Sequence, residues 1–115
     1  MIINLTPHSV NCVDVVVAGL VGSVRFTPEA TPARVSSASS VVGEVGGVPL
    51  LRATYGDIEG LPDARPGILL IVSRVVAAAA PHRRDLLVPS DLVRDADGLV
   101  TGCRGLEAVN GIQED

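Results

Sequence analysis

The sequence predicts an α+β fold: mainly antiparallel β-sheet, compact and barrel- or sandwich-like, with one short α-helix. Three observations carry that expectation. Apolar residues make up 47% of the 115-residue chain but aromatics only 2%, so the core must be assembled from Val, Leu, Ile and Ala. The abundance of Val favours extended backbone over long helices. Finally, a single segment, Val75-Val76-Ala77-Ala78-Ala79-Ala80, has helical character, and the rest divides into short apolar runs between turn residues. A chain of this length suits one domain, 1–115, that buries about two-thirds of its extended surface.

Ile2-Ile3-Asn4-Leu5 reads as a first strand, ended by Thr6-Pro7-His8-Ser9. Residues 10–18 alternate imperfectly as a second strand, and a turn at 19–22 leads into a third at 23–27. The opening is therefore an antiparallel hairpin or meander. Pro28 and Pro32 oppose helix in the connector that follows. Residues 33–35 begin another strand, and Ser36-Ser37-Ala38-Ser39-Ser40, small and polar, is expected to be a mobile loop. A hairpin spans 41–52 about Gly46-Gly47. Residues 53–55 stay extended, and 56–63 form a turn-rich loop.

The branched apolar run at 68–72 reads as a buried strand. Ser73 is a good N-cap for a helix over 74–80, which Pro81 stops. Leu86-Leu87-Val88 is a short strand and Pro89-Ser90-Asp91 a turn. Asp95-Ala96-Asp97-Gly98 is the tight turn of a last hairpin between 92–94 and 99–104. The polar, acidic tail at 107–115 is expected to fray.

The net charge of -4 opposes a nucleic-acid binder, which would carry a basic stripe. No apolar stretch reaches membrane-spanning length, and the N-terminus lacks the cation and apolar run of a signal peptide, so no membrane partner and a cytoplasmic location are expected. Cys12 and Cys103 lie outside any C-x-x-C pair. Two buried free thiols are the favoured expectation over a zinc site with the two His residues, and no cofactor or metal is expected. No G-x-S-x-G or H-E-x-x-H occurs, so Ser, Cys or metal catalysis has no motif to support it.

All nine basic residues are Arg, and two regions of them attract attention. Arg74 places a cation in the first turn of the helix, beside the positive end of its dipole. This is unfavourable unless an anion shares the site. Arg83-Arg84 follow the helix exit, and a helix about 10 Å long keeps them within side-chain reach of Arg74. Three converging guanidiniums would call for a phosphate-bearing ligand. The simpler alternative pairs Arg83 or Arg84 with Asp85 or Asp91. His8, beside Thr6 in a turn, is a candidate ligand contact or acid–base group. The expected ligand-binding set is Thr6, His8, Tyr55, Ser73, Arg74, Arg83, Arg84, Asp85 and Arg94, with no catalytic residue assigned.

Asn4-Leu5-Thr6-Pro7-His8 at one end, and Ile71-Val72-Ser73-Arg74-Val75-Val76-Ala77, Arg83-Arg84-Asp85-Leu86-Leu87-Val88-Pro89, Val93-Arg94-Asp95 and Gly102-Cys103-Arg104 later, form a wider pattern. Together they resemble an uncharacterised family of small proteins encoded by bacteriophages and prophages. The resemblance implies an accessory role in the infected bacterial cell, such as countering host defence signalling. The leading expectation is thus a module that sequesters a small anionic, nucleotide-derived ligand, Tyr55 and His8 meeting base or ribose. A structural or protein-inhibitor module working through Val-rich β-edges is the second expectation, with a homo-oligomer as its natural form. A small phosphodiesterase or nucleotide hydrolase using His8 is the third.

Overall fold

The computed structural model describes residues 1–17, 19–29 and 31–112. In chain order the elements are β1 (Ile2–Asn4), β2 (Val10–Val17), β3 (Leu20–Phe26), β4 (Arg34–Val45), β5 (Val48–Glu59), β6 (Leu69–Ile71), α1 (Arg74–Ala79), β7 (Leu86–Arg94) and β8 (Val100–Glu107). Six strands form one sheet in the order β1-β6-β7-β8-β2-β3, and β4 and β5 pair only with each other. The protein is mostly β with one short helix, as its composition predicts.

The large sheet is mixed, so the mainly antiparallel expectation holds in part. β1 with β6, β6 with β7 and β2 with β8 are parallel, whereas β7–β8 and β2–β3 are antiparallel. The β6-to-β7 connection runs through α1, and a crossover of that kind returns the chain parallel. The sheet also curls: just past β3, Pro28 bridges Asn4, and the Glu29 amide donates to the Asn4 carbonyl at 2.9 Å. First and last strands thus meet at a single point.

Alternation along β6 and β7 sorts the core onto two faces. Leu70, Val72, Leu86 and Val88 join Leu5, Ala33, Val76, Ala77 and Ala80 on the helix side. Ile71 and Leu87 point the other way, into the curl, with Val10, Cys12 and Cys103. Both faces of these short strands are covered, which is why 68–72 reads as an unbroken apolar run.

Asn4 holds the curl together. It is buried, its Nδ2 donates to the carbonyls of His8 (2.8 Å) and Phe26 (2.9 Å), and its Oδ1 accepts from the Thr6 amide (2.9 Å) and hydroxyl (2.6 Å). One side chain therefore ties β1, the 6–9 turn and the end of β3.

β4 and β5 make a twelve-residue-per-strand hairpin that leaves the body as an arm. Its Cα radius of gyration of 17.0 Å makes the protein more extended than a compact domain of this length, for which about 13 Å is expected. Gly46 and Gly47, at φ 58° and 82°, form the turn at the tip, as the sequence predicts. Ser36-Ser37-Ala38-Ser39-Ser40, expected as a mobile loop, is instead the middle of β4. Ser37, Ala38, Ser39 and Ser40 pair with Tyr55, Thr54, Ala53 and Arg52. Small polar residues are tolerated there because the ladder supplies their backbone bonds and neither face needs a large side chain. β5 likewise continues through residues expected as loop, to Glu59.

Two further corrections concern the C-terminal third. β7 runs through Pro89-Ser90-Asp91, where a turn is expected. Pro89 lies beyond the last β6–β7 pair, on a stretch needing no donor on that side, and pairs with Leu106 on the other. The tail is packed as far as it is described: Ala108 and Val109 rest on the two core clusters. Asn110 Nδ2 donates to the carbonyls of Ala77 and Ala80, both at 3.0 Å, closing the end of α1. Residues 113–115 and Ala18 lie outside the described residues.

Replacing Asn4 by Ala would leave two carbonyls and an amide without their partner. At about 1–3 kcal/mol for each buried polar group left unpaired, Asn4→Ala is expected to cost roughly 3 kcal/mol. Urea denaturation should show a lowered midpoint with the slope retained; a loss under about 1 kcal/mol would mean the curl closes without this side chain.

Candidate functional site

The Thr6 hydroxyl shares its one proton between Asn4 Oδ1 and the His8 carbonyl (2.6 and 2.9 Å), so it belongs to the turn. His8 contributes its backbone carbonyl to the same network, and its side chain is exposed. Ser73 caps α1, its Oγ accepting from the Val76 amide at 3.3 Å, as its position before the helix predicts. Arg94 donates to the Gly98 carbonyl at 2.9 Å and braces the last hairpin turn, where the Asp95 carboxylate accepts from the amides of Asp97 and Leu99.

Arg83 and Asp85 form the most developed polar contact. Arg83 Nε and Nη2 meet the two carboxylate oxygens of Asp85 at 2.9 and 2.7 Å, and Nη2 also donates to the Pro62 carbonyl at 2.8 Å. Asp85 is buried at the start of β7 and the Arg83 side chain nearly so. The hydrogen bonds that Arg83 donates to Asp85 raise its pKa, outweighing the opposing effect of burial. This is the simpler of the two alternatives that the sequence left open. The pair clamps the segment after β5 to the sheet.

Arg74, Arg83 and Arg84 have separate surroundings. Arg74 reaches Glu107 at 3.6 Å, an exposed and long contact of the kind that contributes little. Arg84 is exposed. Arg104, at the far side, is held by Asp14 at 3.3 Å and Asp91 at 3.7 Å.

The structure does bring together Tyr55 and Arg74. They line a groove of about 360 Å³ with Val75, Ala78 and Ala79, between the base of the arm and the outer face of α1. Val35 and Ile58, paired across the root of the arm, pack on the helix-side core and hold Tyr55 in place.

From that groove an apolar surface runs outwards along the arm. β5 is regular between Val48 and Tyr55, so Tyr55, Ala53, Leu51 and Pro49 share one face, with Ser37, Ser39, Val41 and Glu44 opposite them. Val41, Leu51 and Tyr55 are 67, 61 and 61% exposed. The other face adds exposed Val45, Val48 and Leu50. Sequence reasoning found this hairpin and expected Val-rich β-edges to meet a partner, without placing that contact on the hairpin. The available signal was apolar character on both alternating faces, with too few polar residues to solvate either.

Cys12 and Cys103 are register partners across the parallel β2–β8 contact, with sulfurs 3.8 Å apart and both buried. Among the described residues no group of three or more His, Cys, Asp or Glu is placed to hold a metal ion, and no helix is long and apolar enough to cross a membrane. No family model, curated protein or solved structure matches the chain.

Burial, followed by the hydrogen bond with Cys103, pushes the Cys12 thiol up to about 11 from 9.0. A thiol harder to ionise when folded stabilises the fold fully below pH 9, and that contribution is lost as pH rises towards 11. The chain has no Lys to titrate in this window. Denaturation between pH 8 and 11 should show stability falling with pH for the wild type and a flatter profile for Cys12→Ala; equal slopes would remove Cys12 as the cause.

Proposed function

We propose that this chain is a non-catalytic assembly module, a small accessory protein of the bacteriophage type that works by self-association through its β4–β5 arm. The observation that carries this reading is the exposed apolar surface of the arm. Seven of its Val, Leu and Tyr side chains, spread over both faces of the hairpin, are between 45 and 67% exposed. Isolated monomers rarely leave so many large apolar side chains clustered in water. A two-stranded hairpin also has two open edges, and here it stands away from any third strand that would cover them. The arm is anchored at its root by Val35 and Ile58 and free at its tip, which suits an element that reaches a neighbour.

The cations are consistent with this role. Arg83 is engaged by Asp85 and Pro62, and Arg104 by two carboxylates, so they brace the body from which the arm projects. A second reading, sequestration of a small anionic, nucleotide-derived ligand, is favoured by one observation: Tyr55 and Arg74 share a groove, an aromatic face beside a cation.

Light scattering on size-separated protein tests the first reading. Wild type should elute as an oligomer at micromolar concentration, and Leu51→Asp, which places a carboxylate in the middle of the exposed face, should be monomeric with unchanged circular dichroism. A monomeric wild type would overturn it. For the second reading, calorimetry with cyclic nucleotides and adenosine diphosphate-ribose derivatives should give a signal that Tyr55→Ala and Arg74→Ala each weaken by tenfold or more. Silence across that panel would remove it.

A further inference from the structure

Resting on the reading of the arm as a self-association element, we infer that its partner is a second copy of this chain in a two-fold embrace, with each arm lying antiparallel along the Tyr55 face of the other and its tip reaching the groove beside α1. That face differs at its two ends. From root to tip it presents Tyr55, Ala53, Leu51 and Pro49, with Glu44 beside Pro49 near the turn. At the root, the surface continues into the α1 groove, whose rim carries Arg74. The face therefore has a cation at one end, a carboxylate at the other and, between them, apolar side chains of β5 and Val41 with the small Ser37 and Ser39 beside them.

A surface with opposite charges at its two ends is complementary to itself when turned through a two-fold axis, because residue i then meets j while j meets i. Placing the axis midway between Leu51 and Ala53 sets Leu51 of one copy against Ala53 of the other. Large then faces small on both sides. The same operation puts Tyr55 over the Pro49 position of its neighbour and Glu44 at the mouth of the Arg74 groove. Tyr55 and Pro49 lie six residues apart on β5, about 20 Å at strand spacing, so the overlap spans much of the arm.

Other features of the groove fit a strand as occupant. Ala78 and Ala79 are small and exposed, letting backbone approach the helix, and Val75 adds an apolar contact 46% exposed. Arg74 is available to a second carboxylate, since its existing contact with Glu107 is long and both side chains are about half exposed. In this arrangement the anion expected beside Arg74 from the sequence is the Glu44 carboxylate of the second copy.

Charge reversal tests the embrace separately from the association. Sedimentation equilibrium is run on wild type, Glu44→Arg, Arg74→Glu, the double reversal and Leu51→Asp, each checked for folding by circular dichroism. The embrace predicts a wild-type dimer, a tenfold or greater weakening in each single reversal, and recovery of most of that loss in the double variant. A dimer lost in Leu51→Asp but indifferent to both reversals would overturn the embrace while leaving the arm as the association element. So would a wild-type mass above the dimer, the mark of head-to-tail contact. A monomeric wild type would overturn the embrace and the assembly reading together.

Discussion

The fold depends on one buried amide. β1 is three residues long and parallel to its neighbour, too short for its ladder alone to set where the chain goes next. Asn4 supplies what the ladder lacks, because a carboxamide donates and accepts at once. It takes both the amide and the hydroxyl of Thr6 while giving its protons to His8 and Phe26. Asp would lack the donors and Leu would have neither. With that group in place the Asn4 and Leu5 carbonyls receive the amides of Glu29 and Ala33, each at 2.9 Å. These bonds carry the chain past β1 and set the direction in which β4 departs.

The returning leg of the arm is fixed by different means. Gly60 sits at φ 78°, and a Cβ there would stand 2.8 Å from the Pro32 carbonyl, so only glycine lets the two legs approach. Two residues on, Pro62 is held by Arg83, which Asp85 in turn orients. Breaking such a buried pair from one side leaves an uncompensated charge, which is why both members behave as scaffold. Asn4, Thr6, Arg83 and Asp85, prominent in the sequence, thus share a mechanical role in aiming the arm.

Local signals in the sequence were legible wherever the chemistry is short-range. Ser73 capping α1, Gly46-Gly47 at the hairpin tip and the Asp95 turn each depend on neighbours within four residues, and each appears where expected. What escaped were properties set by distant partners. The Ser-rich segment becomes a strand only because residues 52–55 pair with it, and the described start of the tail is packed because Asn110 meets a helix end about thirty residues away. Parallel pairing of β2 with β8 likewise depends on a sheet order that no local pattern encodes. Among the candidate site residues, Tyr55 and Arg74 are neighbours through the packing of the arm root on α1, whereas Arg83 was drawn away by an acid two positions along.

Burial explains how a chain so poor in aromatics can spare apolar residues for its surface. Short strands covered on both faces use Ile71, Val72, Leu86 and Leu87 at nearly full burial, so a small set of aliphatic side chains completes the core. Val41, Val45, Val48, Leu50 and Leu51 are then surplus to the fold of a single chain. Extended backbone explains their branched character but not their exposure, since Thr would serve a solvated strand as well and without the hydration penalty. Apolar residues on both faces of a projecting hairpin, with a carboxylate near the tip and a guanidinium at the root, make physical sense when a second surface removes them from water. The arm is thus the part of the molecule whose apolar surface the fold of the isolated chain does not require.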